Sequence, residues 1–359
     1  ALPILLYEYS YTRSDFMPVT IKDVAALAGV SPSTVSRTCK DHPSISRQTK
    51  EKVRRAMAQL GYETNFQASN LASQNSRTIG IILPVSEQEA YQNSFYLETI
   101  RGISQLCNQK QYINTVITGE NEEEILDGIR AMARSGQAEG FIVLYSRKHD
   151  PIVEYLCEEG LLYVLIGKAY HNANQTIYVD NDNVLAGREA ASYLIEMGHR
   201  RIAYISADNT LLFAEDRKTG YAAALLEHQL PIRPEYCIEM NCRPEQRSAV
   251  LESLLSSPDR PTAILVSDDI LAMFVAGACG NLRLSIPKDL SILSFNNSLF
   301  AQLSFPQLTS VDVNARQLGI EAAAQMISHI ENPGLPATKI IVPHVLVERK
   351  SCAPPSSEC

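Results

Sequence analysis

Residues 20–37 read Thr-Ile-Lys-Asp-Val-Ala-Ala-Leu-Ala-Gly-Val-Ser-Pro-Ser-Thr-Val-Ser-Arg, and that run permits few local folds. Thr20 and Asp23, three residues apart, make a capping box that starts a helix. Ile21, Val24, Leu27 and Ala28 recur at helical spacing, and Gly29 ends the helix by taking the left-handed conformation. Ser31 caps a second helix, with Pro32 at its first position, where a missing N–H costs nothing. Two short helices joined by a glycine turn predict a helix-turn-helix, whose second helix enters the DNA major groove. Pro32, Ser33, Ser36 and Arg37 fall on the exposed face of that helix. They are small or hydrogen-bonding, and Arg37 suits a guanine edge. The competing reading is an ordinary two-helix corner with no DNA chemistry.

The charge distribution favours DNA. Residues 17–76 hold eight Lys and Arg against four Asp and Glu, and residues 1–16 carry a net −1. The chain's net charge of −8 therefore leaves −11 on residues 77–359. A basic head on an acidic body concentrates phosphate attraction in one module and repels DNA from the rest. A merely solvated charged face would not coincide with the two-helix run.

Ser46 opens a third predicted helix, with Val53, Ala56, Met57 and Leu60 on one face, Lys50, Lys52, Arg54 and Arg55 on the other, and Gly61 as its stop. Residues 63–76 are polar and linker-like. From Thr78 onwards short β-rich runs alternate with helical stretches. The expected strands are 79–83, 113–118, 140–145, 162–166, 177–179, 201–205, 263–266 and 291–295. The expected helices are 95–109, 122–135, 183–197, 216–228, 269–281 and 315–330. Such alternation predicts an α/β fold of parallel, doubly wound sheets, and the chain is long enough for two copies. Ligands bind such sheets at the carboxyl ends of the strands.

Several function classes lose ground here. No apolar run approaches the ~20 residues needed to cross a bilayer. Leu2–Leu6 lacks the basic flank and cleavage site of a signal peptide, so residues 1–16 are expected to be a non-native leader and the protein cytoplasmic. The eight cysteines include no paired metal-binding spacing, so neither a metal nor another cofactor is expected. Glycine-rich dinucleotide, phosphate-loop, Gly-x-Ser-x-Gly and His-Glu-x-x-His motifs are missing, which lowers the case for an enzyme.

With these residues in view, the chain resembles the LacI/GalR family of bacterial transcription regulators from residue 18 to about residue 352. Beyond the Thr20–Arg37 run, the matching stretches include Asn65-x-x-Ala68-x-x-Leu71, Val179-Asp180-Asn181, Met197-Gly198-His199-Arg200-Arg201-Ile202, Arg217-x-x-Gly220-Tyr221, Ser267-Asp268-Asp269, Ile286–Ser291 and Leu346–Cys352. Within the family, Ala90–Phe95 and the stretch from Ile166 to Asn183 are most similar to maltose operon repressors of Gram-positive bacteria.

The resemblance implies a helix-turn-helix headpiece at 17–62 and a hinge helix and linker at 63–76. It implies a body at 77–352 like the periplasmic binding proteins, with a tail at 353–359. Lobe 1 would span about 77–177 and 311–335, and lobe 2 about 178–310 and 336–352. It also implies a homodimer on double-stranded operator DNA. Thr20, Ser31, Pro32, Ser33, Thr34, Ser36 and Arg37 would lie at the DNA. Hinge residues Asn65 and Ala68 would join them, with Leu71 as an apolar wedge in the minor groove. A sugar effector, maltose or a maltooligosaccharide, would meet Phe95, Tyr96, Arg217, Asp268 and Asn296, and by position after a strand Tyr91, Tyr145 and Phe213. Aromatic faces stack on a pyranose while Arg, Asp and Asn hydrogen-bond its hydroxyls. Asp269 is expected to act as a helix N-cap.

Three positions depart from the family's pattern, one of them Cys39, which replaces an aliphatic residue and is expected only to pack. Asn296 stands where Asp is usual and removes a charge, and Lys40 stands where Asn is usual and adds a phosphate contact. Three other functions compete. They are a catabolite-control regulator with a protein corepressor, a periplasmic sugar receptor, and a sugar-processing enzyme, for which Asp268 has no evident acid–base partner. Arg37→Ala is expected to abolish specific operator binding and leave sugar affinity unchanged. Mobility shift and calorimetry check the two halves, and a parallel loss of sugar affinity would contradict the division of labour.

Overall fold

The computed structural model describes residues 19–39, 41–62, 76–84, 93–206, 208, 210–240 and 244–356. The expected leader, Lys40, the hinge stretch with Asn65, Ala68 and Leu71, and Tyr91 lie outside them. The chain forms two units, Ala1–Asn75 and Ser76–Cys359.

In the first unit, helices α1 (Ile21–Ala28), α2 (Pro32–Cys39) and α3 (Arg47–Leu60) begin and end where the sequence places them. The Thr20 N–H and hydroxyl both donate to the Asp23 carboxylate, at 2.8 and 2.7 Å. These two bonds hold the Asp23 carboxyl below the usual range. Gly29 is left-handed at φ 62°, and the Ser31 hydroxyl accepts from the Thr34 N–H at 3.2 Å. Val24, Ala25, Ala28, Val35, Val53 and Ala56 make the small core. Leu27, expected on the apolar face of α1, is 45% exposed, and Ala25 takes the inward place beside Val24.

The second unit holds two six-stranded sheets. The first contains β1 (Thr78–Ile82), β2 (Ile113–Ile117), β3 (Gly140–Val143), β4 (Tyr163–Ile166), β5 (Ile177–Asp180) and β11 (Lys339–Ile341). Its order is β11-β5-β4-β3-β1-β2, parallel throughout, with Ile79 beside Gly140 and Lys339 beside Tyr178. The second contains β6 (Ile202–Ser206), β7 (Cys237–Glu239), β8 (Ala263–Val266), β9 (Ser291–Phe295), β10 (Thr309–Asp312) and β12 (Val345–Val347). Its order is β12-β10-β9-β8-β6-β7, parallel except for β12.

Each sheet is covered on both faces, as parallel sheets must be. In lobe 1, α4 (Ser94–Lys110) and α12 (Ala315–Glu331) cover one face, and α5 (Glu122–Arg134) and α6 (Pro151–Glu158) the other. In lobe 2, α7 (Asn183–Glu196) and α8 (Leu212–Glu227) oppose α9 (Pro244–Leu255) and α10 (Asp269–Asn281). A short α11 (Leu299–Leu303) follows β9. The two lobes repeat one packing device. Gly102 of α4 meets α12 so closely that a Cβ would lie 2.1 Å from the Arg316 carbonyl oxygen, and at Gly220 of α8 it would lie 2.0 Å from that of Val184.

The lobe boundaries differ from expectation. Strand β5 runs to Asp180 in the first sheet, β10 runs to Asp312 in the second, and β11 pairs with β5. Lobe 1 therefore keeps 178–180 and 336–341, and lobe 2 keeps 311–312. Short edge strands such as β11, with only three residues, carry too little periodicity to be assigned from sequence.

The chain thus crosses between lobes three times, near residues 181, 313 and 342. Buried Asn181 joins all three, its side-chain amide donating to the carbonyls of Val313 at 3.0 Å and Val342 at 2.8 Å. Removing a donor from a buried acceptor costs about 1–3 kcal/mol, so Asn181→Leu, which strips two, should destabilise the body by roughly 2–6 kcal/mol. A urea-unfolding midpoint equal to the parent's would show that the crossings are held by other contacts.

Candidate functional site

In the first unit, Ser31, Pro32, Ser33 and Arg37 are exposed on α2, with Thr34 and Ser36 half-buried, while Val35 and Thr38 face the core. Helix amphipathicity alone explains this division. Thr20 spends its hydroxyl on the α1 cap. Of the four basic residues predicted on α3, Lys50 and Arg54 pair with Asp41 at 2.9 and 3.1 Å and pin the loop after α2, while Lys52 and Arg55 stay exposed.

The second candidate site lies within the body, at the carboxyl ends of its strands. Arg217 of α8 is 4% exposed. Its guanidinium lies over the Phe295 ring at 4.1 Å and the Phe213 ring at 4.8 Å. Its Nε donates to Asn183 Oδ1 at 2.9 Å and its Nη1 to the Ser267 carbonyl at 2.7 Å. Burial lowers its pKa to about 10, so it remains a cation at neutral pH. Nη2 makes no hydrogen bond among the described residues. A fork held rigid on two of its nitrogens presents the third without further loss of side-chain entropy.

Asp268 caps α10, accepting from the Leu271 N–H at 2.9 Å, and burial pushes its carboxyl up. Asp269, expected as that cap, instead sits one residue inside the helix. There it accepts from the Ser310 hydroxyl at 2.9 Å, the Ser298 N–H at 2.6 Å and the Ser294 hydroxyl. It fixes the loop that carries Asn296. Asn296 has φ 95°, its N–H donates to the Val311 carbonyl at 2.8 Å, and its side-chain amide is uncommitted among the described residues.

From lobe 1, Phe95 and Tyr96 open α4, edge to face at 5.5 Å, with the Asn93 side chain capping at 3.0 Å. Phe95 packs against apolar residues of both lobes. Tyr145 lies deeper, 5% exposed in the core under α5 and α6, and its hydroxyl has no hydrogen-bond partner among the described residues. Arg217, Phe213 and Asp268 thus come together. Asn296 follows directly on Phe295, whose ring carries Arg217, while Tyr145 belongs to a core wall.

Four residues with a hand in this site went unassigned in the sequence. Asn183 and Phe295 hold Arg217 from 34 and 78 residues away in sequence, a pairing that no local pattern encodes. Lys168 forms an ion pair with Asp216 across the lobes, next to the Lys148–Glu215 pair at 2.8 Å. Among the described residues no His, Cys, Asp or Glu cluster could hold a metal ion, and no helix is long and apolar enough to cross a membrane.

A helix-turn-helix among the three helices described in the first unit, followed by a two-lobed α/β body, is the build of a DNA-binding transcription regulator. The pattern of bacterial regulatory proteins of the lacI family matches residues 20–65, and that of the periplasmic binding protein-like domain matches residues 191–352. The HTH-type transcriptional regulator MalR of Streptococcus pneumoniae serotype 4 is 34% identical over 337 residues, covering 93% of this chain and all of the relative. The chain belongs to the LacI family of DNA-binding transcriptional repressors. A Bacillus cereus subsp. cytotoxis protein crystallised as a LacI-type regulator is 41% identical, with TM-score 0.74 over 77% of this chain and 98% of that one. A complex of the regulator CelR with cellobiose is 25% identical, with TM-score 0.72 over 93% of this chain and 100% of that one.

Asp180 closes this region. It is 8% exposed, accepts from the Asn181 N–H at 2.8 Å and the Asn183 amide at 3.0 Å, and burial raises its carboxyl to about 7. A carboxyl raised on folding keeps its proton in the native state where the unfolded chain has lost it. Its stabilising share is complete below the ordinary value of 3.8 and disappears as pH rises through about 7. Asp180→Asn should therefore gain stability relative to the parent across that window, read as a growing difference in melting temperature. A difference independent of pH would contradict the assignment.

Proposed function

We propose that this chain represses maltose or maltodextrin utilisation genes and is released from its operator by maltose or a maltooligosaccharide bound between the lobes of the body. The carrying observation is a pair of polar groups uncommitted among the described residues, Arg217 Nη2 beside the Phe213 ring and the amide of Asn296, which follows Phe295 under the same guanidinium. These donors and acceptor match hydroxyls, and the ring offers an apolar face. Phe95 and Tyr96 are the contacts proposed from lobe 1. The likeness to MalR supports maltose over other sugars, and the CelR complex shows that a similar body accommodates a disaccharide. At the DNA, Arg37 and the exposed residues of α2 are the proposed readers, with the 65–71 stretch as hinge.

A homodimer fits the same reading. Leu299 and Leu303, one helical turn apart on α11, are 60% and 75% exposed, and Phe305 beyond them is fully exposed. A monomer gains nothing by holding such a patch in water. The second copy is the partner proposed for it.

The test is anisotropy of a fluorescent DNA carrying the gene's own promoter region, titrated with maltose, maltotriose and glucose. Release by maltose or maltotriose but not glucose is expected, with Arg217→Ala still bound and no longer released. Tight binding that none of the three sugars moves would overturn the maltose assignment and point to another sugar or a protein corepressor.

A further inference from the structure

A cavity of about 320 Å³ opens in lobe 1, apart from the Arg217 site. Its walls are the loop after β3 (residues 146–150), one side of α6 and the loop after β4 (residues 169–172). Three aromatic rings line it as one cluster. His149 and Tyr170 lie 4.9 Å apart at 73°, Tyr170 and His171 4.3 Å apart at 63°, and His149 and His171 5.7 Å apart. Tyr170 is 41% exposed. His149 and His171 are exposed as well, so ring surface remains uncovered around the cavity.

The charges around the rings select the occupant. Glu154 and Glu158 supply carboxylates and Asn172 an amide, while the buried Asp150 carboxylate is spent on the α6 cap and on Arg147. Among the described residues, Arg147 is the only Lys or Arg on the walls, and it is spent on Asp150 at 2.9 Å and on Glu122. Phosphorylated or carboxylated ligands are therefore repelled. Aromatic faces beside hydrogen-bond acceptors, in a volume at the small end of the ~300–1,000 Å³ usual for ligand sites, suit a neutral, hydroxyl-rich ring.

The 146–150 loop has a second attachment. The Ser146 carbonyl accepts from the Leu212 N–H at 3.1 Å and the Lys148 N–H donates to the Thr210 carbonyl at 3.0 Å, both across to lobe 2. Lys148 also pairs with Glu215 there at 2.8 Å. One five-residue loop thus walls the cavity on one side and ties the lobes on the other. We propose that this cavity is a second carbohydrate site, taking one neutral pyranose ring against Tyr170, and that filling it fixes the loop in the conformation that joins the lobes. Binding there and binding between the lobes are then reciprocally linked.

The chain has no tryptophan, so Tyr170→Trp places a single reporter in this cavity. Emission of the full-length variant is followed while glucose, and separately maltose, is added into the tens of millimolar, past the millimolar dissociation constants of weak sites. A saturable change is expected that persists when Asn296→Gly removes the amide from the other site. Glycine accepts the positive φ there without strain. Calorimetry of glucose into the unsubstituted chain should give the same dissociation constant. No change with either sugar, together with no heat in the unsubstituted chain, overturns the proposal. A change that Asn296→Gly abolishes also overturns it, because the signal then originates between the lobes. The operator-release assay reads the Arg217 site and this titration reads the cavity, so either reading can fail alone.

Discussion

The body depends on how three chain crossings are held in one place. Each crossing is a stretch of backbone between two sheets, and its carbonyls have left one ladder without joining another. Asn181 answers two of these at once and lies itself on the remaining crossing. The Val342 N–H returns a bond to the Asp180 carbonyl at 2.8 Å, so the node is closed from both sides. Buried amides in such positions are kept because the alternative is an unpaired carbonyl in a dry interior. A ligand between the lobes would act on this node, on the loop contacts at 146–148 and 210–212, and on the Lys168–Asp216 and Phe95 contacts that also join the lobes.

Much of this was legible in the sequence, for identifiable reasons. The headpiece was, because capping residues and the glycine stop act over three or four positions, and Thr20, Asp23, Gly29, Ser46 and Gly61 behave as their chemistry dictates. The central strands were too, since strands buried on both faces are continuous apolar runs such as Ala263–Val266. Arg217 and Asp268 could be singled out only through the family resemblance. That Arg217 is held by Asn183 and two phenylalanines is a tertiary fact with no local signal. Asp268 rather than Asp269 caps its helix, because a one-residue shift in helix start decides which carboxylate caps and which turns inward. Strands β7, β11 and β12 at the sheet edges and the interior strand β10 escaped because segments of three or four residues have no period to detect.

Electrostatics divides the labour between the units and again within the body. Basic residues of the headpiece are partly consumed by its own architecture, as Lys50 and Arg54 hold Asp41. In the body, charged groups near the lobe junction are either paired, as Lys148 and Lys168 are, or sunk far enough that burial shifts them, as with Asp180, Arg217 and Asp268. Such groups are costly in a folding ledger and informative for function, because the cost is tolerated where charge recognises something.

The glycine crossings have a mechanical corollary. Where α4 meets α12 and α8 meets α7, backbones touch with no side chain between them, so these pairs cannot slide over a cushion of rotamers. Each lobe then moves as a stiff plate. The Arg77 N–H donates to Glu139 at 2.6 Å, just ahead of β1, so the point where the preceding chain enters is riveted to the first plate. A few degrees of tilt about the three crossings would be delivered undamped to that entry point, as a lever delivers motion at its rim.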